Sequence, residues 1–552
     1  MGPKTKVLTL LFFSGLLIQT LIARGTNDER LNYYDVKHYN LSISFDVLNK
    51  TFRGKVIIRA QVIRPLDEFV LSASDETLTI DSVRYEDAAL PYIHEGDHLV
   101  ARFESTIERQ KIVEITIYYR GISKFHGQYE SGGVSFNLVK GLGRIATSSE
   151  PTFSRTWWPC KDVPDDKATA TINVTVPANL TAVSNGILTN TQRGINTTTY
   201  RWETRYPTPP YLIAVSAAKY RQFTEMYNGL DGKQMKIYYY VFPEDYDRAK
   251  YDFENTRGMI NFLAKTFCEY PFMDEKLGFV EVMGNITMEN QTICSIEQRL
   301  ITGNRQFELT YFHELAHHWW GDLISPINWQ HTWLNEGFAT YAEALYVEHT
   351  RGADAYRRYM DNMMAVRMGQ YAGSVFGRTD TVFWDAFAPR VYNKGAIILH
   401  MLRGTVGDSA FFTIMRNYIK NPELRYGNAR SEDFIRECEA VYHHDLRWFF
   451  NQWVFAYTDS IDRPDIEYSW KDSPGSPMNT VTLTLEQKTA QKLLYKIPFT
   501  IRLTTKNSTH SFLVIDSLAT QTFTFPIPDK TQHVEIDREN WIFKVLRQKE
   551  SF

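Results

Sequence analysis

The string His313-Glu314-Leu315-Ala316-His317, followed 19 positions after its second histidine by Glu336, constrains this chain more than any other feature. On a helix, residues four apart lie nearly one above the other, so the imidazoles of His313 and His317 can converge on one ion. Glu314 projects about 100° around the same helix. There it flanks the ion instead of ligating it, within reach of a proton on a bound water. Two imidazoles and one carboxylate leave a coordination position open, the pattern of a catalytic zinc site; a structural site is closed by four protein ligands. Glu336 is the expected third ligand, and one zinc per chain is the expected cofactor.

The surroundings suit that arrangement. Residues 304–320 read as a helix with Phe307, Leu309, Phe312, Leu315 and Ala316 apolar, and Gly321 is placed to end it. A second, Ala-rich helix starts near Asn335 and stops at Gly352, and the turn Ser325-Pro326-Ile327-Asn328 lets it fold Glu336 back onto the first. His318 points about 100° away from the ligand face, and His331 falls in the turn. Both are read as packing or surface histidines.

A length of 552 residues suggests about three domains, and a net charge of -3 gives no polyanion-binding signal, so nucleic acid is not an expected partner. Lys4 and Lys6 precede an apolar stretch over residues 7–23, interrupted by Ser14, Gly15 and Gln19. It reads as a secretory signal ending near Ala23, which makes the protein secreted or periplasmic. The alternative is an uncleaved membrane anchor, for which about 17 mixed residues are short; no other stretch approaches membrane length. Four scattered cysteines define no disulfide framework.

Behind a signal at 1–23, residues 24–222 alternate apolar and polar in short runs (38–47, 54–62, 111–119, 170–176), the pattern of a β domain. Residues 223–463 turn helical, with runs at 251–267, 304–320, 335–350, 353–370, 392–405, 409–420 and 431–442. Residues 464–552 return to strands (480–487, 495–504, 511–516, 520–526, 533–536), for which a small β-sandwich is the natural form. The expected fold class is α+β and multidomain.

His313-Glu314-Leu315-Ala316-His317-His318-Trp319-Trp320-Gly321-Asp322, Trp333-Leu334-Asn335-Glu336-Gly337-Phe338-Ala339, Met288-Glu289-Asn290 and Tyr392-Asn393-Lys394-Gly395 resemble, in order and spacing, the zinc aminopeptidase family typified by aminopeptidase N. The likeness extends to Glu150-Pro151 and Trp157-Trp158-Pro159-Cys160-Lys161-Asp162-Val163-Pro164. It implies an N-terminal β domain, a thermolysin-like, mainly helical catalytic domain and a C-terminal β-sandwich. These residues leave no room for the large helical C-terminal domain of longer members, so a short three-domain form is expected. The resemblance assigns Tyr392 as hydrogen-bond donor to the oxyanion, Glu289 as the carboxylate that holds a substrate's free α-ammonium, and Glu150 as its helper. Ile286, Thr287 and Met288 complete the implied substrate-binding segment.

Two positions depart from the family pattern. Ser148 stands where a Gln usually precedes Glu150 by two residues, and Ile286 stands where a Gly usually lets substrate backbone approach. Ile286 is therefore expected to alter substrate placement or narrow the site. The function implied is removal of N-terminal residues from peptides with a free N-terminus, Glu314 acting as general base. A thermolysin-type endopeptidase is the alternative enzyme, disfavoured because Glu289 and Glu150 suit an ammonium better than a neutral amide. A silent scaffold could lose His313, Glu314, His317, Glu336 and Tyr392, yet all five are present. An epoxide hydrolase side activity belongs to a branch with the helical C-terminal domain. The preferred side chain and the oligomeric state are not legible.

Overall fold

Along Tyr34–Asp46 and Ile112–Ile122 burial alternates residue by residue over most of each strand, so one face of each looks into a core. Both belong to an eight-stranded sheet in a computed structural model that describes residues 28–128, 131–378, 383–458, 460–488 and 493–549. At its centre Tyr34–Asp46 pairs antiparallel with Thr51–Val62 and parallel with Ala168–Pro177. A four-stranded sheet shares the same apolar cluster and contains β1 (Leu142–Ser148), two residues beyond which lies Glu150.

The second layer system is built on β2 (Arg221–Asn228), β3 (Gln234–Val241), β4 (Leu277–Val282) and β5 (Cys294–Glu297), in that spatial order. β3, β4 and β5 run parallel, and every residue of β4 and β5 is buried. Strands covered on both faces show no polar alternation, so 277–282 and 294–297 give no strand signal in the sequence.

Against β5 packs α1 (Glu308–Ala316), α2 (Trp333–Arg351) packs on α1, and α3 (Gly395–Val406) packs on α2. α1 is shorter at both ends than the 304–320 read from periodicity. Arg305 sits at φ +59 with its amide held by Asp252 Oδ1 at 2.8 Å, so the helix cannot begin before it. Trp320 and Gly321 leave helical angles (φ −125 and +129), a conformation glycine adopts readily. The 251–267 run divides into Tyr246–Asp252 and Thr256–Thr266, the 353–370 run ends at Met364, and the expected start of a helix at 392 is a wider π turn, Arg390–Lys394.

Buried polar groups join the first β region to the sheet of the second. Lys276 Nζ donates to Ser184 O (2.9 Å) and Gly186 O (2.6 Å), and Asn185 Nδ2, which also donates to Leu212 O (2.8 Å) within its own region, donates across to Gln291 O (2.7 Å). At the C-terminal end, two sheets close a sandwich. One orders Thr520–Ile527, Asn479–Gln487, Asp465–Ser473 and Val545–Gln548; the other orders Thr509–Asp516, Ile497–Thr505 and Thr531–Ile536. The strands 465–473 and 545–548 were not among those read from the sequence. The α+β class with a β region, a helical region and C-terminal strands is the one found. Among the described residues no helix is long and apolar enough to cross a membrane, and the signal read at 1–23 lies outside them. All four cysteines are free thiols.

Candidate active site

The break after α1 orients its second histidine. With the chain turned back at Gly321, the Trp320 carbonyl lies 3.0 Å from His317 Nδ1 and accepts its proton, which leaves Nε2 facing inward. A Cβ at Gly321 would stand 3.3 Å from His317 Nδ1, so a side chain there would press on the ring. His313 is turned the same way by Glu343, whose Oε1 accepts from Nδ1 at 2.8 Å while Oε2 accepts from Tyr359 (2.8 Å). Glu343 was missed in the sequence. Its signal was its place seven residues after Glu336, two turns along one face of α2.

The two Nε2 atoms lie 3.0 Å apart, and each is 3.3 Å from Glu336 Oε2. A tetrahedral ion with bonds of about 2.0–2.1 Å sets its ligands about 3.3 Å apart, so the triangle has the dimensions that zinc requires. His313, His317 and Glu336 are a metal-competent group found among the described residues. His318 and His331 are not part of it. His318 is buried against Tyr270 Oη (3.0 Å) and Cys294 Sγ (3.4 Å), and His331 Nδ1 accepts the Ser431 amide (3.0 Å).

Glu336 reaches the triangle because α2 and α3 cross at bare backbone. A Cβ on Gly337 would stand 2.9 Å from Gly395 Cα, and one on Gly395 would stand 2.8 Å from Gly337 Cα. The same crossing brings the π turn carrying Tyr392 alongside, its ring 6.2 Å from that of His313 between centroids.

The loop after β4 returns to the sheet at Met288, which exchanges two backbone bonds with Ser295 of β5 (3.0 and 2.8 Å). Glu289 follows, with Oε1 3.9 Å from His317 Nδ1. Thr287 is bound on its outer side by Gln128. Ile286 is fully buried in the apolar cluster with Val280, Met288 and Ile293, and its amide donates to Glu297 Oε2 at 3.2 Å. Its side chain fills the packing beneath the loop, so its effect passes through the backbone path.

Charge in this cleft is lopsided. Glu150, Glu289, Glu314, Asp322 and Glu336 are all buried. Burial, then repulsion from Glu289, pushes Glu150 well above the usual carboxylate range. Burial also raises Glu289, and it drives Glu314 up to about 8. Burial works to raise Glu336 as well, but His317 and His313 hold it well below its ordinary value. Glu150 Oε1 and Glu289 Oε1 have no hydrogen-bond partner among the described residues. Buried carboxylates in such excess are stable as anions only beside further positive charge, which a divalent ion and an ammonium group would supply. Asp322, not singled out in the sequence, joins this cluster because the helix breaks before it.

The sequence matches the peptidase family M1 domain over residues 251–453 and the peptidase M1 N-terminal domain over residues 35–212. The chain belongs to the M1 peptidase family. It is 24% identical over 448 residues to aminopeptidase M1-D of Oryza sativa subsp. japonica, covering 76% of this chain and 49% of that one. It is 27% identical over 426 residues to aminopeptidase N of Haemonchus contortus, covering 70% and 42%. This chain thus spans about half the length of the curated relatives it matches. Among solved structures, Legionella pneumophila aminopeptidase A in complex with aspartic acid superposes with a TM-score of 0.80 at 19% identity, over 94% of this chain and 60% of that one. The M1 zinc metallopeptidase from Deinococcus radiodurans gives 0.66 at 22%, over 77% and 94%. At these identities the likeness concerns the fold.

Proposed function

We propose that this chain is a zinc-dependent aminopeptidase that hydrolyses the first peptide bond of peptides with a free N-terminus. The observation that carries this is the meeting of a zinc-sized His313–His317–Glu336 triangle with the buried, unpartnered carboxylate oxygens of Glu150 and Glu289.

Bound between the three donors, zinc supplies Lewis acidity toward the scissile carbonyl and lowers the pKa of a water beside it. Glu314 takes a proton from the attacking water and returns it to the leaving amine nitrogen. The Tyr392 hydroxyl donates to the oxyanion as it develops on the carbonyl oxygen. Glu289, helped by Glu150, pairs with the α-ammonium and so fixes the first peptide bond over the metal. Sequence alone supports export or an N-terminal anchor through residues 1–23.

The test compares a peptide with its N-acetylated form. Acetylation removes the charge and leaves the scissile bond unaltered, so cleavage should nearly vanish. Glu289→Ala should lower kcat/KM for the free peptide by about 30- to several-thousand-fold, the loss of a charge-assisted contact in a desolvated site. Internal cleavage of the acetylated peptide at the rate of the free one would replace this proposal with the endopeptidase.

A further inference from the structure

β5 is the edge of its sheet, and Met288 pairs on its outer side. In an antiparallel pair the residue that exchanges both backbone bonds points inward, and its neighbours point outward. Thr287 therefore turns its N–H and C=O away from β5, two residues before Glu289. A peptide held at its N-terminus by Glu289 and lying in extended form would meet this edge and add to it as a strand.

That position is filled from within. The carboxamide of Gln128, 159 positions earlier, accepts from Thr287 N–H at 3.0 Å and donates to Thr287 O at 3.1 Å. Gln128 is 3% exposed. Only Asn and Gln carry a neutral donor and acceptor side by side, so the side chain reproduces both bonds that a substrate peptide group would make. The exchange costs little backbone order, because the plug is a side chain and can swing away.

We infer that Gln128 is a specificity-determining residue, an internal competitor for substrate main chain at Thr287. The inference rests on the aminopeptidase function proposed above. Ligands offering main-chain amides beyond the first residue must displace Gln128; single-residue ligands need not. Gln128 thereby weakens peptide binding relative to the binding of an amino-acid amide.

The experiment reads affinity without turnover. In zinc-loaded Glu314→Gln protein, calorimetry gives Kd for the tightest tripeptide of an Xaa-Ala-Ala panel and for the matching Xaa-amide. Adding Gln128→Ala should tighten the tripeptide by about 5- to 30-fold, the worth of one to two net hydrogen bonds. The amide should change less than about twofold. Gln128→Asn, one methylene short, should behave like Gln128→Ala. A loop merely loosened by the substitution would weaken binding, so the sign separates competition from a structural role. Unchanged or weaker tripeptide binding overturns the inference while leaving the proposed function intact. If no free-amino tripeptide binds either form, the aminopeptidase proposal fails, and this inference with it.

Discussion

Gly337→Ala tests whether the bare-backbone crossing of α2 and α3 sets the catalytic geometry. The new Cβ would stand 2.9 Å from Gly395 Cα and 3.0 Å from Gly395 C, both of them backbone atoms that no rotamer change can move. Carbon pairs rest at about 3.5–4.0 Å, so the helices must part by roughly 0.6–1 Å. Overpacking of this kind costs about 1–3 kcal/mol, offset by about 0.5–1 kcal/mol because Ala favours helix over Gly. The net destabilisation is therefore about 0–2.5 kcal/mol, too wide a range for stability to diagnose the contact. Catalysis is the sensitive readout, since Glu336 lies on α2 and Tyr392 on the turn feeding α3. A displacement near 1 Å costs about 100-fold in rate. The assay measures kcat together with zinc content, then repeats both with Tyr392→Phe added. In the native background Tyr392→Phe should lower kcat by about 100- to 1000-fold, the scale of a lost oxyanion donor. In the Gly337→Ala background its additional effect should shrink, because the hydroxyl has already been moved off the carbonyl. Full kcat in Gly337→Ala, or an undiminished Tyr392→Phe effect within it, would show that the glycine contact does not position the tyrosine.

Metal and chemistry should separate by mutation: Glu314→Gln should keep about one zinc per chain with no turnover, whereas Glu336→Ala should lose the metal, both read by elemental analysis. Glu343→Gln weakens the acceptor that turns His313, so chelator competition should show zinc affinity reduced about 10- to 100-fold; an unchanged Kd would make Glu343 a packing residue. The stability contributed by His331 and His400 should be lost between pH 6.5 and 4, opposite in sign to the contribution of the raised carboxylates Glu150, Glu289 and Glu314. Burial lowers His331 and His400 to about 4, against an ordinary 6.5. Above pH 6.5 both are neutral folded and unfolded. As pH falls toward 4 the unfolded chain gains protons that the folded chain refuses, up to about 3 kcal/mol for each. His331→Gln should flatten the slope of denaturation midpoint against pH, and an equal slope would exclude His331 as its source.

The metal triangle was legible because its residues span 24 positions and two helices whose periodicity is strong. The orienting groups were harder to see. Glu343 had a helical register to point to it, but the Trp320 carbonyl acts only because the backbone leaves the helix where periodicity would carry it on. Glu150 came from family resemblance, since a lone carboxylate 139 positions before Glu289 has no local signature. Gln128 had none at all: its partner is a backbone group, and backbone partners leave no trace in residue types. The same holds for β4, whose burial on both faces erased the alternation that marked the N-terminal strands.

The buried bonds of Lys276 and Asn185 hold the region carrying Glu150 against the region carrying the metal triangle. On the proposed function, Glu289 beside the metal triangle marks where the substrate begins, and Glu150, reaching in from across the joint, sharpens that mark. A slip of one residue along an extended peptide is about 3.4 Å. The joint therefore contributes to how many residues leave in each cycle, and a variant that loosens it should blur its counting before its chemistry, releasing some dipeptides beside single amino acids.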